Sequence, residues 1–140
     1  MFQECEVAAV QTAPATPGTP DLLRRTVASG GAVTIVSNNS TTAACRYLLR
    51  VGLESLVRGI SARDDAQIHH LKPSPYLLQR AIAADGDPPG SYVMVGDSMP
   101  DIEAARAAGT VVIAFANKPG KYGRFASLAP DVIMTSMADL

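Results

Sequence analysis

Five short, largely apolar runs punctuate the chain, and none alternates apolar with polar residues as a half-exposed strand does. They are Ala32 to Val36, Val57 to Ile60, Ser91 to Val95, Thr110 to Phe115 and Val132 to Met134. Runs this short suit strands better than buried helices, and the lack of alternation points to strands covered on both faces. Each run is preceded by a stretch with helix signals. Met1 to Ala13 reads as a short helix, and the Pro14 to Pro20 linker cannot continue it. A second helix spans Asp21 to Ser29 and closes at Gly30-Gly31. Ser40 caps a third through Arg50, ended by Gly52. Pro73 opens a fourth that runs to Ala84. Pro100 to Ala108 is a fifth, stopped by Gly109, and Lys121 to Leu128 is a sixth, with a terminal turn from Met137. Helix and strand therefore take turns along the chain. This order predicts an α/β fold: a three-layer, doubly wound, Rossmann-like and mostly parallel sheet.

Composition narrows the function without naming it. The 140 residues are 47% hydrophobic and 18% charged, with a net charge of −1. Such a balance gives no electrostatic case for binding nucleic acid or an anionic membrane. No apolar run reaches the length of a membrane span, and the N-terminus lacks the basic-then-apolar pattern of a secretory signal. Cys5 and Cys45 do not form a disulfide framework, so a reducing, cytoplasmic setting is the expectation.

Chemistry concentrates where predicted strands end. Val36 is followed by Ser37-Asn38-Asn39-Ser40, Lys72 stands before Pro73, and Val95-Gly96 leads into Asp97-Ser98-Met99-Pro100-Asp101. Open α/β sheets place their ligands beyond the carboxyl ends of their strands. A hydroxyl and new backbone N–H groups at a helix start suit a phosphate. A lysine neutralises phosphoryl oxygens, and carboxylates suit Mg²⁺, a hard ion that prefers oxygen. Together these are most of a phosphoryl-transfer site.

In this order the three stretches resemble motifs two, three and four of the haloacid dehalogenase-like (HAD) superfamily. Ser37 stands at the second motif, Lys72 at the third, and Gly96-Asp97-Ser98-Met99-Pro100-Asp101 at the GDxxxD of the fourth. The likeness covers roughly residues 14 to 140. It implies a Mg²⁺-dependent phosphatase acting on small phosphate monoesters through an aspartyl-phosphate. Ser37 and Asn38 would hold the phosphoryl group with Lys72, Asp97 and Asp101 would serve the metal, and Asp101 would orient Lys72; acids also favour the first turn of any helix, so Asp101 equally reads as helix-end stabilisation. The family's first motif, an apolar strand ending in DxD whose first Asp is the nucleophile, has no counterpart here. On this likeness the chain reads as a capped member that starts near the end of its cap, with residues 1–13 a cap remnant and 14–140 the core.

The resemblance also places the lacking strand centrally, between those carrying Ser37 and Asp97. Its loss would expose two strand edges. Three ways to fill the gap are expected: residues Val7 to Thr12 folding back as a substitute strand, a second copy of the chain, or a separate polypeptide. The chain alone is then expected to be inactive and to bind Mg²⁺ weakly. The competing expectation is a non-catalytic binding or oligomerisation module of the same fold.

Other candidates have plainer readings. Glu4-Cys5-Glu6 has DxD-like spacing but reads as solvated acids on a helix, and Asp64-Asp65 as a solvated loop. His69 and His70, if extended, point opposite ways and share no metal. Asn117-Lys118-Pro119-Gly120-Lys121 reads as a solvated basic turn. Cys5 and Cys45 read as buried small hydrophobes. Ser37 as a nucleophile is set aside, since no GxSxG elbow or activating histidine accompanies it.

Overall fold

The computed structural model describes residues 2–64 and 68–140, so Asp65 lies outside the described residues. The fold is α/β, and every strand pair is parallel. The chain divides into two compact units, Met1–Ile68 and His69–Leu140.

The first unit runs α1 (Phe2–Val10), α2 (Thr19–Ala28), β1 (Thr34–Ser40), α3 (Thr41–Val51) and β2 (Gly59–Arg63). β1 and β2 pair from Thr34 opposite Gly59 to Ser37 opposite Ala62, and the register then shifts before Ser40 meets Arg63. Ser40 ends β1 and caps α3, its hydroxyl accepting from the Ala43 N–H at 3.2 Å. α3 buries Ala43, Ala44 and Leu48, and Leu23, Leu53 and Ala62 are buried in the same unit. α1 has no basic residue in its last turn. Arg50 of α3 supplies one instead, donating to the carbonyls of Val10 (2.7 Å) and Ala13. A cation there answers the unpaired carbonyls and the negative end of the helix dipole.

The second unit runs α4 (Tyr76–Asp85), β3 (Val93–Gly96), α5 (Met99–Ala108), β4 (Val111–Phe115), α6 (Lys121–Ala126) and β5 (Val132–Met134). Its sheet has the order β3-β4-β5, which sequential helical crossovers give most directly. Central β4 is buried from Val112 to Phe115. α5 turns Ile102, Ala104, Ala105 and Ala108 inward, and alanines allow the helix to lie close on β3 and β4. Ile113, Phe115 and Met134 form a core cluster with Val95 and Met137 packed against it.

Several boundaries differ from the sequence expectation for local reasons. β1 starts at Thr34 and carries its polar tail to Ser40, because pairing with β2 holds those residues extended. β2 is shifted to Gly59–Arg63. α4 begins at Tyr76 rather than Pro73. Ser74 donates its N–H to the Leu71 carbonyl at 3.0 Å, and Pro75 disfavours helix at Ser74, so the Pro-Ser-Pro stretch is a turn. Val7 to Val10 is helical and Gln11-Thr12 is a turn, so the substitute-strand expectation for Val7 to Thr12 is overturned. Cys5 and Cys45 are exposed rather than buried. Among the described residues no helix is long and apolar enough to cross a membrane.

Candidate functional site

The end of β3 is built around Asp101. A Cβ on Gly96 would stand 2.4 Å from the Asp101 Cβ, so only glycine lets the strand end and the first turn of α5 approach this closely. Ser98 caps α5 and accepts from the Asp101 N–H at 3.3 Å. Asp101 answers with Oδ2, which accepts from the N–H of Asp97 and of Ser98, each at 3.2 Å, and from the Ser98 hydroxyl at 2.8 Å. This is a capping box in which aspartate takes the place of glutamate. The other oxygen, Oδ1, accepts from the Lys72 ammonium at 2.5 Å. The two side chains are only 10% and 9% exposed. Both carboxylate oxygens of Asp101 are thus engaged, one fixing the β3–α5 turn and one fixing Lys72.

Asp97, four residues earlier, is the reverse case. Its side chain is 55% exposed. The Asn117 amide donates to Oδ2 at 3.2 Å. The Lys121 ammonium donates to the Asp97 carbonyl at 2.6 Å and lies 3.5 Å from Oδ2. The same ammonium reaches Asn117 Oδ1 at 2.7 Å. All the acceptors here are oxygens, and they already gather around a cation. That donor set fits a hard divalent ion. Among the described residues no three His, Cys, Asp or Glu side chains come together; of the two carboxylates expected to serve the metal, Asp101 has both oxygens engaged by Lys72 and the turn, and Asp97 has the exposed one.

Ser37 and Asn38 lie near the end of β1, both half-buried, in the first unit. The Ser37 hydroxyl accepts from the Asn39 N–H at 3.1 Å, a local turn bond. At the junction of β1 and α3, the Ser40 N–H donates to Glu6 Oε2 at 2.9 Å, and Arg63 Nη2 donates to the same oxygen at 2.9 Å. Glu6 is therefore half-buried and paired, which corrects its reading as a solvated acid; Glu4 is exposed as expected.

Among the sequence candidates, the second unit joins Lys72 to Asp101 and ties Asp97 to the turn before α5. Asp64 is exposed. His69 and His70 sit in a tight turn rather than an extended segment, their rings edge-to-face at 4.4 Å, and His70 stacks on Tyr76 at 3.9 Å. The chain's Asp-x-Asp, Asp85-Gly86-Asp87, straddles the end of helix α4, and Asp85 accepts from the Tyr92 hydroxyl at 3.3 Å. Burial, then the charges of Asp85 and Asp87, pushes that hydroxyl above its ordinary value. The turn read as solvated and basic is exposed from Asn117 to Gly120, but Asn117 and Lys121 also bond Asp97, which that reading does not anticipate. Their signal was positional: they follow β4 on the side where β3 delivers Asp97.

A haloacid dehalogenase-like hydrolase family model matches residues 2–109. Pyrophosphatase PpaX of Halalkalibacterium halodurans is 33% identical over 113 residues, covering 79% of this chain and 51% of that protein. Phosphoglycolate phosphatase of Salmonella typhi is 32% identical over 125 residues, covering 89% and 48%. The chain spans about half the length of these curated relatives. The crystal structure of CbbY from Rhodobacter sphaeroides in complex with phosphate aligns with a TM-score of 0.81 at 26% identity, covering 99% of this chain and 62% of that one.

Proposed function

Given that this chain belongs to the haloacid dehalogenase-like hydrolase family, we propose that it is the core of a Mg²⁺-dependent phosphatase for small phosphate monoesters. The observation that carries this reading is the buried Lys72–Asp101 pair tied into the β3–α5 turn. A lysine held by a carboxylate at a strand end is a fixed positive charge, preorganised for an anion. Its role is to counter the charge on transferring phosphoryl oxygens, while Asp101 acts as its positioning residue. The same reading assigns the Ser37 hydroxyl and the Asn38 N–H to phosphoryl oxygens. Asp97, with its exposed carboxylate, is the residue that holds Mg²⁺. When bound, that ion supplies charge stabilisation to the phosphoryl group. The names of the relatives, a pyrophosphatase and a phosphoglycolate phosphatase, and the phosphate bound to CbbY support phosphate as the chemistry.

The attacking aspartate is not assigned to any of these 140 residues, because no apolar strand here ends in DxD. That observation favours a second reading, a phosphate-binding module of the same fold. Aryl phosphate hydrolysis in Mg²⁺ separates the two. The chain alone is expected to show no turnover. Adding a polypeptide that contributes an apolar strand ending in DxD is expected to give turnover that Asp97→Asn abolishes. Phosphate binding with no turnover in the mixture supports the module. Turnover by the chain alone that survives Asp97→Asn overturns both.

A further inference from the structure

Lys121 is placed against the preference of its own helix. It is the first residue of α6, and the first turn of that helix has no acid. Helix starts favour negative charge, so a lysine there gains nothing locally. The Lys118-Pro119-Gly120 turn sets it there: Lys121 donates its N–H to the Lys118 carbonyl at 3.2 Å, and Gly120 holds a φ of 83° that only glycine adopts freely. From that position the side chain meets the Asp97 carbonyl, Asp97 Oδ2 and Asn117 Oδ1. It also lies 6.0 Å from the centre of the Phe125 ring, at the limit of a cation–π contact. Only 23% of the side chain is exposed. Asn117 in turn binds both partners, its amide on Asp97 and its oxygen on Lys121.

From this geometry we infer that Lys121 is a built-in monovalent cation that occupies the oxygens of Asp97 and Asn117 and opposes divalent ions at the same carboxylate. The inference rests on the reading of Asp97 as the cation ligand. A divalent ion at Asp97 must displace the ammonium or sit beside it, and like charges repel strongly near a partly dry surface. Lys121 thus sets a threshold of divalent-ion concentration below which Asp97 stays neutralised by the chain itself. Removing the ammonium frees the carboxylate and leaves its charge without a counter-ion until metal arrives.

The test is a Mn²⁺ titration of the chain, followed by electron paramagnetic resonance of the free ion, with thermal melting in EDTA and in Mg²⁺ alongside. Lys121→Met and Lys121→Gln are each expected to bind Mn²⁺ roughly tenfold more tightly than the native chain. Both are also expected to melt earlier than the native chain in EDTA and to gain more from Mg²⁺. Lys121→Arg, which keeps the charge, is expected to stay near native. Equal Mn²⁺ affinity in the native chain and both neutral variants, including no measurable binding in any of them, overturns the inference, as does weaker binding in the variants. Asp97→Asn separates the two layers. Undiminished binding in that variant sinks the reading of Asp97 as the ligand, whereas lost binding there with no change at Lys121 sinks only the role of the ammonium.

Discussion

The two units fasten their strand ends in opposite ways. At the end of β3 the turn is fastened locally: Asp101 caps it from three and four residues ahead, and only its other oxygen reaches a distant partner, Lys72. At the end of β1 it is distant: Glu6 arrives from α1 to take the Ser40 N–H, and Arg63 arrives from β2 to pair with it. The strands differ in the same sense. β4 lies between two neighbours and is buried along almost its whole length, whereas β1 has one neighbour, β2, among the described residues and is half-buried from Thr34 to Asn38. Two runs that look alike in hydropathy thus end in different surroundings. Apolar character makes a strand, and the number of neighbours decides its burial.

Substitutions at the two ends sharpen this contrast. Asp101→Ala strips three donors of their acceptor and leaves the Lys72 charge buried, so a loss of about 3–5 kcal/mol is expected in urea unfolding. Gly96→Ala forces a methyl against Asp101 and is expected to cost about 3 kcal/mol by the same measurement. In the first unit, Glu6→Ala leaves Arg63 mostly buried without this carboxylate, and about 2 kcal/mol is expected. Ser40→Ala removes the cap of α3 for about 1 kcal/mol, read as a lower melting temperature. A Glu6→Ala loss as large as that of Asp101→Ala would erase the difference between a distant and a local fastening.

What could be read from the sequence follows the same division. The α/β order, the Ser40 cap, the Gly52 and Gly109 helix ends and the last strand, Val132–Met134, all depend on residues close together in the chain. So does Asp101, whose capping role needs only a helix start. The Lys72–Asp101 pair was legible through resemblance. The misses depend on partners brought from afar. Glu6 is paired because Arg63 and Ser40 come to it, and Lys121 faces Asp97 because β4 delivers the loop beside β3. No local pattern distinguishes such residues from solvated charges. The start of α4 was missed for a different reason: the two prolines flanking Ser74 compete for the same turn, and Pro75 is the one that borders the helix.

The division of labour between the two carboxylates, Asp97 for the cation and Asp101 for the scaffold, is tested most directly by Mn²⁺ added to the ¹⁵N-labelled chain. The expected result is paramagnetic broadening centred on the amides of Asp97, Ser98 and Asn117 that Asp97→Asn removes. Broadening that survives Asp97→Asn, or that is spread over exposed acids such as Asp21, Glu54 and Glu103, would contradict it.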